Sequence, residues 1–281
     1  MTMIERLPAS EYMPPQDVVY EDVFGLHKDF AALAFKRDSI LVGPKGIGKS
    51  LSVVSFASHL QVPIVLFGCS QDVRRSHQFG HYIMRGGTDT PFILGPLPLA
   101  FEIANEVGAC ILCYEEVNAL DPNGQKLLNM ATDIHRKVVV PECKRTFQLK
   151  GSAKLWIVGT MNLAVYGGVY SLNEDLKSRF RLFPLDYPAP KAEAQIVNRV
   201  LGPTLAQLPP KTLDKVLTLA HETRQKALDY SLSTRDVVQL IQDIEALGLE
   251  RALWLVTGKF EGDDRTTVKT WITSTFGVKV A

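Results

Sequence analysis

The sequence predicts an α/β chain in which a parallel sheet is followed by a helical C-terminal unit. Two observations carry this expectation. Up to about residue 188, short apolar runs alternate with stretches of helical periodicity, the order that a parallel sheet covered on both faces requires. Beyond the proline-rich link Pro184-Leu-Asp-Tyr-Pro-Ala-Pro190 the periodicity is helical throughout, near 191–201, 211–229, 233–247, 249–257 and 265–275. The 281 residues suffice for a full α/β core plus one smaller unit. The expected divisions are an N-terminal arm at 1–22, an α/β core at 23–188 and a helical unit at 189–281.

Each element has a local reason. Pro8, Pro14 and Pro15 block a helix in the arm, so it reads as extended. A helix near 27–35 leads into a first strand, Ser39-Ile40-Leu41-Val42, and a second helix is expected from Ser50 to about Leu60. Residues 63–68 read as the second strand. The polar, Gly-containing stretch from Gln71 to Pro91 reads as irregular or as a small insertion. A helix near 97–107 precedes the third strand, 109–114. Asp121 is a good helix cap and Pro122 suits the first turn that follows. Val138–Val140 and Arg145–Leu149 flank Pro141-Glu142 as a hairpin. A fourth strand at 154–158, a short helix at 173–178 and a fifth strand at 181–185 complete the core.

Composition narrows the function. The formal net charge of +1 gives no reason to expect a nucleic-acid partner. No run approaches the roughly 20 apolar residues of a membrane span. Charges and prolines in residues 1–15 stand where a secretory leader needs an apolar core, so a cytoplasmic location is expected. Four scattered cysteines do not make a disulfide framework. Cys110 and Cys113 have a C-x-x-C spacing, but they lie in a strand, where they point to opposite faces, and no second ligand pair completes a zinc set. They read as buried thiols. His77, His81 and His135 have no metal-ligand spacing and read as structural or surface groups.

The chemistry begins at Gly43-Pro44-Lys45-Gly46-Ile47-Gly48-Lys49-Ser50, a complete phosphate-binding loop between an apolar strand and a helix. Its glycines let backbone N–H groups turn inward around phosphates, and the helix N-terminus adds partial positive charge there. Lys49 reaches the β- and γ-phosphates, Ser50 holds magnesium, and Leu51 closes the expected contact set. The run Ile111-Leu-Cys-Tyr-Glu115-Glu116-Val-Asn118 is an apolar strand ending in two acids, the second half of such a site. Glu115 is expected to support the magnesium shell and Glu116 to polarise the attacking water. The first acid is usually Asp, and the longer Glu115 leaves open a site that binds more than it hydrolyses.

Three further stretches carry a resemblance: Ile157-Val-Gly-Thr-Met-Asn162; Tyr166-Gly-Gly-Val-Tyr-Ser-Leu-Asn-Glu-Asp-Leu-Lys-Ser-Arg-Phe180; and Pro184-Leu-Asp-Tyr-Pro188. With Phe92-Ile-Leu-Gly-Pro-Leu-Pro-Leu-Ala100, they resemble the AAA+ ATPases, most of all the MoxR, CbbQ and GvpN group related to the dynein motor modules. The resemblance spans roughly 23–275. It implies a P-loop AAA+ core with a C-terminal helical lid, ATP and Mg2+ bound between them, and a polar sensor at Asn162. It implies an arginine finger at Arg179, with Arg181 the alternative, that serves a neighbouring subunit's nucleotide. Ser233 and Asp236 form a capping-box-like pair that puts Arg235 in a first helical turn, against the helix dipole. The resemblance makes Arg235 a lid arginine that reaches the γ-phosphate.

The hairpin at 138–149 matches an insertion of this group, and a second is expected within His81–Gly95, bearing Phe92. The resemblance implies a homo-oligomer, a hexameric ring, that remodels a client protein, with a von Willebrand factor A domain protein as the partner class. Two other readings stand beside it. One is an ATP-controlled binding scaffold with little turnover, motivated by Glu115. The other is a GTP-using motor like McrB, of which Val158-Gly-Thr-Met-Asn162 is reminiscent.

Overall fold

The computed structural model describes residues 3–84, 90–163, 170–226 and 228–280. Its backbone contacts divide it into two units. The α/β unit comprises the chain up to Val18, Leu26–Gly43 and Lys49–Leu185. The helical unit comprises Val19–Gly25, Pro44–Gly48 and the chain from Asp186 onward.

The α/β unit is built on five parallel strands: β1 (Ser39–Val42), β2 (Ile64–Gly68), β3 (Ala109–Glu115), β4 (Lys154–Met161) and β5 (Arg181–Pro184). Their order is β5-β1-β4-β3-β2. Parallel neighbours need crossovers, and helices between the strands supply them: α2 (Lys49–Leu60), α3 (Pro96–Val107), α4 (Pro122–Leu127) and α5 (Glu174–Arg179), while α1 (Leu26–Leu33) precedes β1. Both faces of the sheet are covered, which alternation along β4 makes plain. Leu155 and Ile157 join one buried cluster with Leu97, Phe101 and Ala104 of α3. Trp156 faces the other way, with its ring centroid 5.1 Å from Phe30 of α1 and 5.9 Å from Phe56 of α2. Cys110 packs in the α3-side cluster, and Cys113 is equally buried outside it. Burial pushes both thiols far above the usual range.

Within Gln71–Pro91, the described residues up to 84 are more regular than their polarity suggests. Arg75–Phe79 forms a helical turn that buries Gln78 and Phe79, and Gly80–Tyr82 pairs antiparallel with Phe92–Leu94. Ile4–Glu5, from the expected arm, joins the same small sheet against Phe92 and Ile93. Residues 85–89, within the expected second insertion, lie outside the described residues. The expected hairpin is present as Lys137–Val140 paired with Arg145–Gln148. Its turn is a tight helical one at Pro141–Cys143. Asp121 caps α4, with its Oδ1 accepting from Gly124 N at 2.6 Å.

The helical unit packs α6 (Pro190–Leu205), α7 (Thr212–Gln225), α8 (Thr234–Leu247), α9 (Leu249–Thr257) and α10 (Gly262–Phe276). In α8, Val237, Leu240, Ile241 and Ile244 follow the i, i+3, i+4, i+7 spacing of one helical face, and all are buried in the unit's core. The start of α8 is a full capping box. Ser233 Oγ accepts from Asp236 N at 3.3 Å, and Asp236 Oδ2 accepts from Ser233 N at 2.8 Å. Beneath it lies a buried ion pair, where Arg224 donates twice to Glu193, at 2.8 Å each. Glu193 also accepts from Thr234 Oγ1 at 2.7 Å, and Arg224 Nε donates to Leu232 O at 2.7 Å.

Candidate functional site

Parallel strands bring all their carboxyl ends to one edge, where open α/β sheets bind ligands. Gly43 follows β1 there, Cys69 follows β2, Glu115 ends β3 and Asn162 follows β4. Val42 pairs with Met161 and Tyr114 with Gly159, so β4 lies between the glycine-rich loop and the acidic pair.

Lys49 opens α2 and is only 8% exposed. A buried ammonium is tolerated when its donors are met. Lys49 Nζ donates to Gly43 O at 2.8 Å and to Asn162 Oδ1 at 3.1 Å. Asn162, at 3% exposure, keeps its Nδ2 without a partner among the described residues. Its main-chain oxygen accepts from Asn118 Nδ2 at 3.0 Å, and Asn118 Oδ1 is likewise buried without a partner among the described residues. A donor and an acceptor left open in a buried site suit a polar ligand.

Glu116 turns the chain out of β3 in the left-handed region, φ 56°, and its N–H donates to Thr160 Oγ1 at 3.2 Å. Its carboxylate is exposed and that of Glu115 half-buried; neither makes a hydrogen bond among the described residues. Burial, followed by the charges of Glu115 and Glu116, pushes the Cys69 thiol up to about 12. Ser50 is half-buried and Leu51 exposed, one and two residues into α2 beyond Lys49.

The loop interior, Pro44–Gly48, belongs to the helical unit. Gly46 has φ +72°, and a Cβ built on it would stand 2.3 Å from Ser233 Oγ, so only glycine fits. Gly46 O accepts from Arg235 N at 3.2 Å. Arg235 lies in the first turn of α8 with an exposed side chain. Arg179 ends α5 and Arg181 begins β5, both exposed. Neither is hydrogen-bonded to the Lys49–Asn162 group among the described residues. The Tyr166-Gly-Gly-Val169 part of the family-like stretch lies outside the described residues.

The edge therefore joins Gly43, Lys49 and Asn162 directly, and sets Glu115 and Glu116 one strand away. Sequence reading missed Asn118 and Thr160. Asn118 was visible only as a polar residue soon after the acids, and Thr160 as one more β-branched strand residue. The residues fit a triphosphate with a divalent cation. Lys49 and the open Asn162 amide suit anionic oxygens, and the hydroxyl of Ser50 with the Glu115 carboxylate is the hard oxygen donor set that magnesium takes.

A family model described as AAA domain (dynein-related subfamily) matches residues 38–180. Protein CbbQ of Hydrogenophilus thermoluteolus is 29% identical over 209 residues, 74% of each chain. Protein NorQ of Paracoccus denitrificans is 27% identical over 173 residues, 61% of each chain, so the match spans less than two thirds of that relative. Among solved structures, a mutant of RuvB from Thermotoga maritima superposes with a TM-score of 0.52 at 16% identity, over 93% of this chain and 73% of that one. That likeness is one of fold, a parallel-sheet core with a helical C-terminal region. The expected resemblance to the MoxR and CbbQ group holds: this chain belongs to the dynein-related subfamily of the AAA domain family.

Proposed function

We propose that the chain is a Mg-dependent ATPase that works as a hexameric ring and spends hydrolysis on remodelling a partner protein. The observation that carries this reading is the buried Lys49–Asn162 contact with its open Asn162 Nδ2. Lys49 and the loop from Gly43 to Leu51 bind the triphosphate tail. Ser50 and Glu115 hold magnesium, which when bound offsets charge on the phosphate oxygens. Glu116, turned outward at the strand end, orients the attacking water and takes up its proton. Asn162 donates its free amide hydrogens toward the γ-phosphate or that water. As the group resemblance implies, Arg235 adds a cation toward the γ-phosphate, and Arg179 serves the site of the adjoining copy. The client class is a protein, with a von Willebrand factor A domain partner as the group resemblance implies.

The test compares ATP and GTP turnover for wild type, Glu116→Gln and Arg179→Ala, with particle mass measured alongside. Both variants are expected to bind nucleotide normally and lose turnover, and wild type to prefer ATP and assemble. A wild type that stays monomeric with Mg-ATP, or an Arg179→Ala variant that hydrolyses like wild type, would overturn the shared-site reading. Tight binding without turnover in the wild type, partners included, would instead favour an ATP-controlled scaffold.

A further inference from the structure

Two buried amides, Asn118 at 1% and Gln125 at 0% exposure, lie between the nucleotide edge and the helix that carries Arg179. Asn118 holds both flanks of one chain segment. Its Nδ2 donates to Asn162 O at 3.0 Å, and its own main-chain oxygen accepts from Tyr170 N at 2.7 Å. Gln125 takes over from there. Its Nε2 donates to Leu120 O at 3.1 Å and to Ser171 O at 3.3 Å, and its Oε1 accepts from Asn173 N at 2.9 Å. Asn173 precedes α5 directly, donates back to Pro122 O at 3.0 Å, and accepts from Lys177 N at 3.0 Å.

The route from Asn162 to α5 therefore consists of hydrogen bonds centred on two side chains, both from the segment that follows the acidic pair. Buried polar networks are costly when broken and geometrically exacting when made. A shift of the Asn162 main chain by a fraction of an ångström strains the Asn118 bond. It must be met by movement of Tyr170 or of the turn at Val117–Ala119. Gln125 links that turn's far end to Ser171 and Asn173, so the displacement arrives at Asn173, the residue before α5 and six residues before Arg179.

We propose that Asn118 and Gln125 are positioning residues that couple the nucleotide state sensed at Asn162 to the placement of Arg179, the group offered to a neighbouring copy. This rests on the site reading above and adds the means by which one site would inform the next.

Amide hydrogen exchange across 170–179, with and without a non-hydrolysable ATP analogue, tests it on the full chain. In wild type the analogue slows exchange there. In Asn118→Ala and in Gln125→Met that response is lost and turnover falls at least about tenfold, and in Gln125→Met the analogue's Kd stays within about twofold. Gln125→Met, which keeps the volume of the side chain and removes its hydrogen bonds, also serves where Asn118→Ala does not fold. Variants that bind the analogue and respond like wild type overturn the coupling alone. A wild type that binds no triphosphate overturns the site reading and the coupling together.

Discussion

The ammonium of Lys49 donates to the side-chain oxygen of Asn162 at 3.1 Å, across 113 positions of sequence. The contact exists because β1 and β4 are neighbours in the sheet although β2, β3 and their helices lie between them in the chain. It orients the Asn162 amide so that Oδ1 faces the lysine and Nδ2 remains open.

Removing either partner should separate binding from chemistry. Asn162→Ala is expected to leave nucleotide Kd within a few-fold and to lower single-turnover hydrolysis by about 10²–10³, the usual loss for one preorganised donor. Lys49→Ala is expected to abolish binding. Titration with a fluorescent analogue and a single-turnover assay check both.

Arg179 should act between copies. Arg179→Ala is expected to bind nucleotide normally and to lose about 10³-fold or more in turnover, as for arginine fingers elsewhere. Mixing Arg179→Ala with Glu116→Gln chains should restore part of the rate, because an intact Glu116 site then receives an intact arginine from its neighbour. Mixtures no faster than either parent would refute the shared arrangement.

The Glu193–Arg224 pair should dominate the stability of the helical unit. Side-chain exposures of 2% and 9% mean that deleting one partner strands the other charge. Glu193→Ala is expected to destabilise the unit by about 3–5 kcal/mol. Exchange protection of α6, α7 and α8 reports it.

Asp236 carries a pH signature. Burial alone would raise its carboxyl, but hydrogen bonds from Lys259 and Ser233 outweigh that and hold it below the ordinary value of 3.8. The carboxylate therefore stabilises the fold fully above that value, and the contribution is lost as pH falls through the lower, folded-state value. Wild type is expected to be more stable than Asp236→Asn at neutral pH, with the difference shrinking below the ordinary aspartate range. Chemical denaturation at stepped pH measures it.

Gly46→Ala should disrupt the loop. The positive φ disfavours any Cβ, and Ser233 Oγ and Cβ, at 2.3 and 2.6 Å from it, leave no space for one. Loss of nucleotide affinity with little change in the exchange protection of β3 and β4 is the expected result.

Much of this was legible from local pattern. The loop from Gly43 to Ser50 and the acids at the end of β3 are each contiguous, and each strand of the central sheet is a short apolar run whose neighbours are set by right-handed crossovers. The capping box at Ser233 and Asp236 is legible for the same reason, being four residues wide. What escaped depends on partners remote in sequence. Ile4–Glu5 and Gly80–Tyr82 are two- and three-residue strands with no periodicity of their own, and they exist because Phe92–Leu94 lies between them. Asn118 looks like any loop asparagine until β4 brings Asn162 beside it. Glu193 and Arg224, 31 positions apart, look like two solvated helix charges until α6 and α7 close over them.

The three buried thiols make the fold a self-timing object. Cys110 and Cys113 sit on opposite faces of β3, and Cys143 lies inside the hairpin turn. A maleimide reaches none of them until its own layer opens. With Cys69 replaced by serine, the pace of alkylation at each position clocks separately how often either side of the sheet, and the hairpin, breathes.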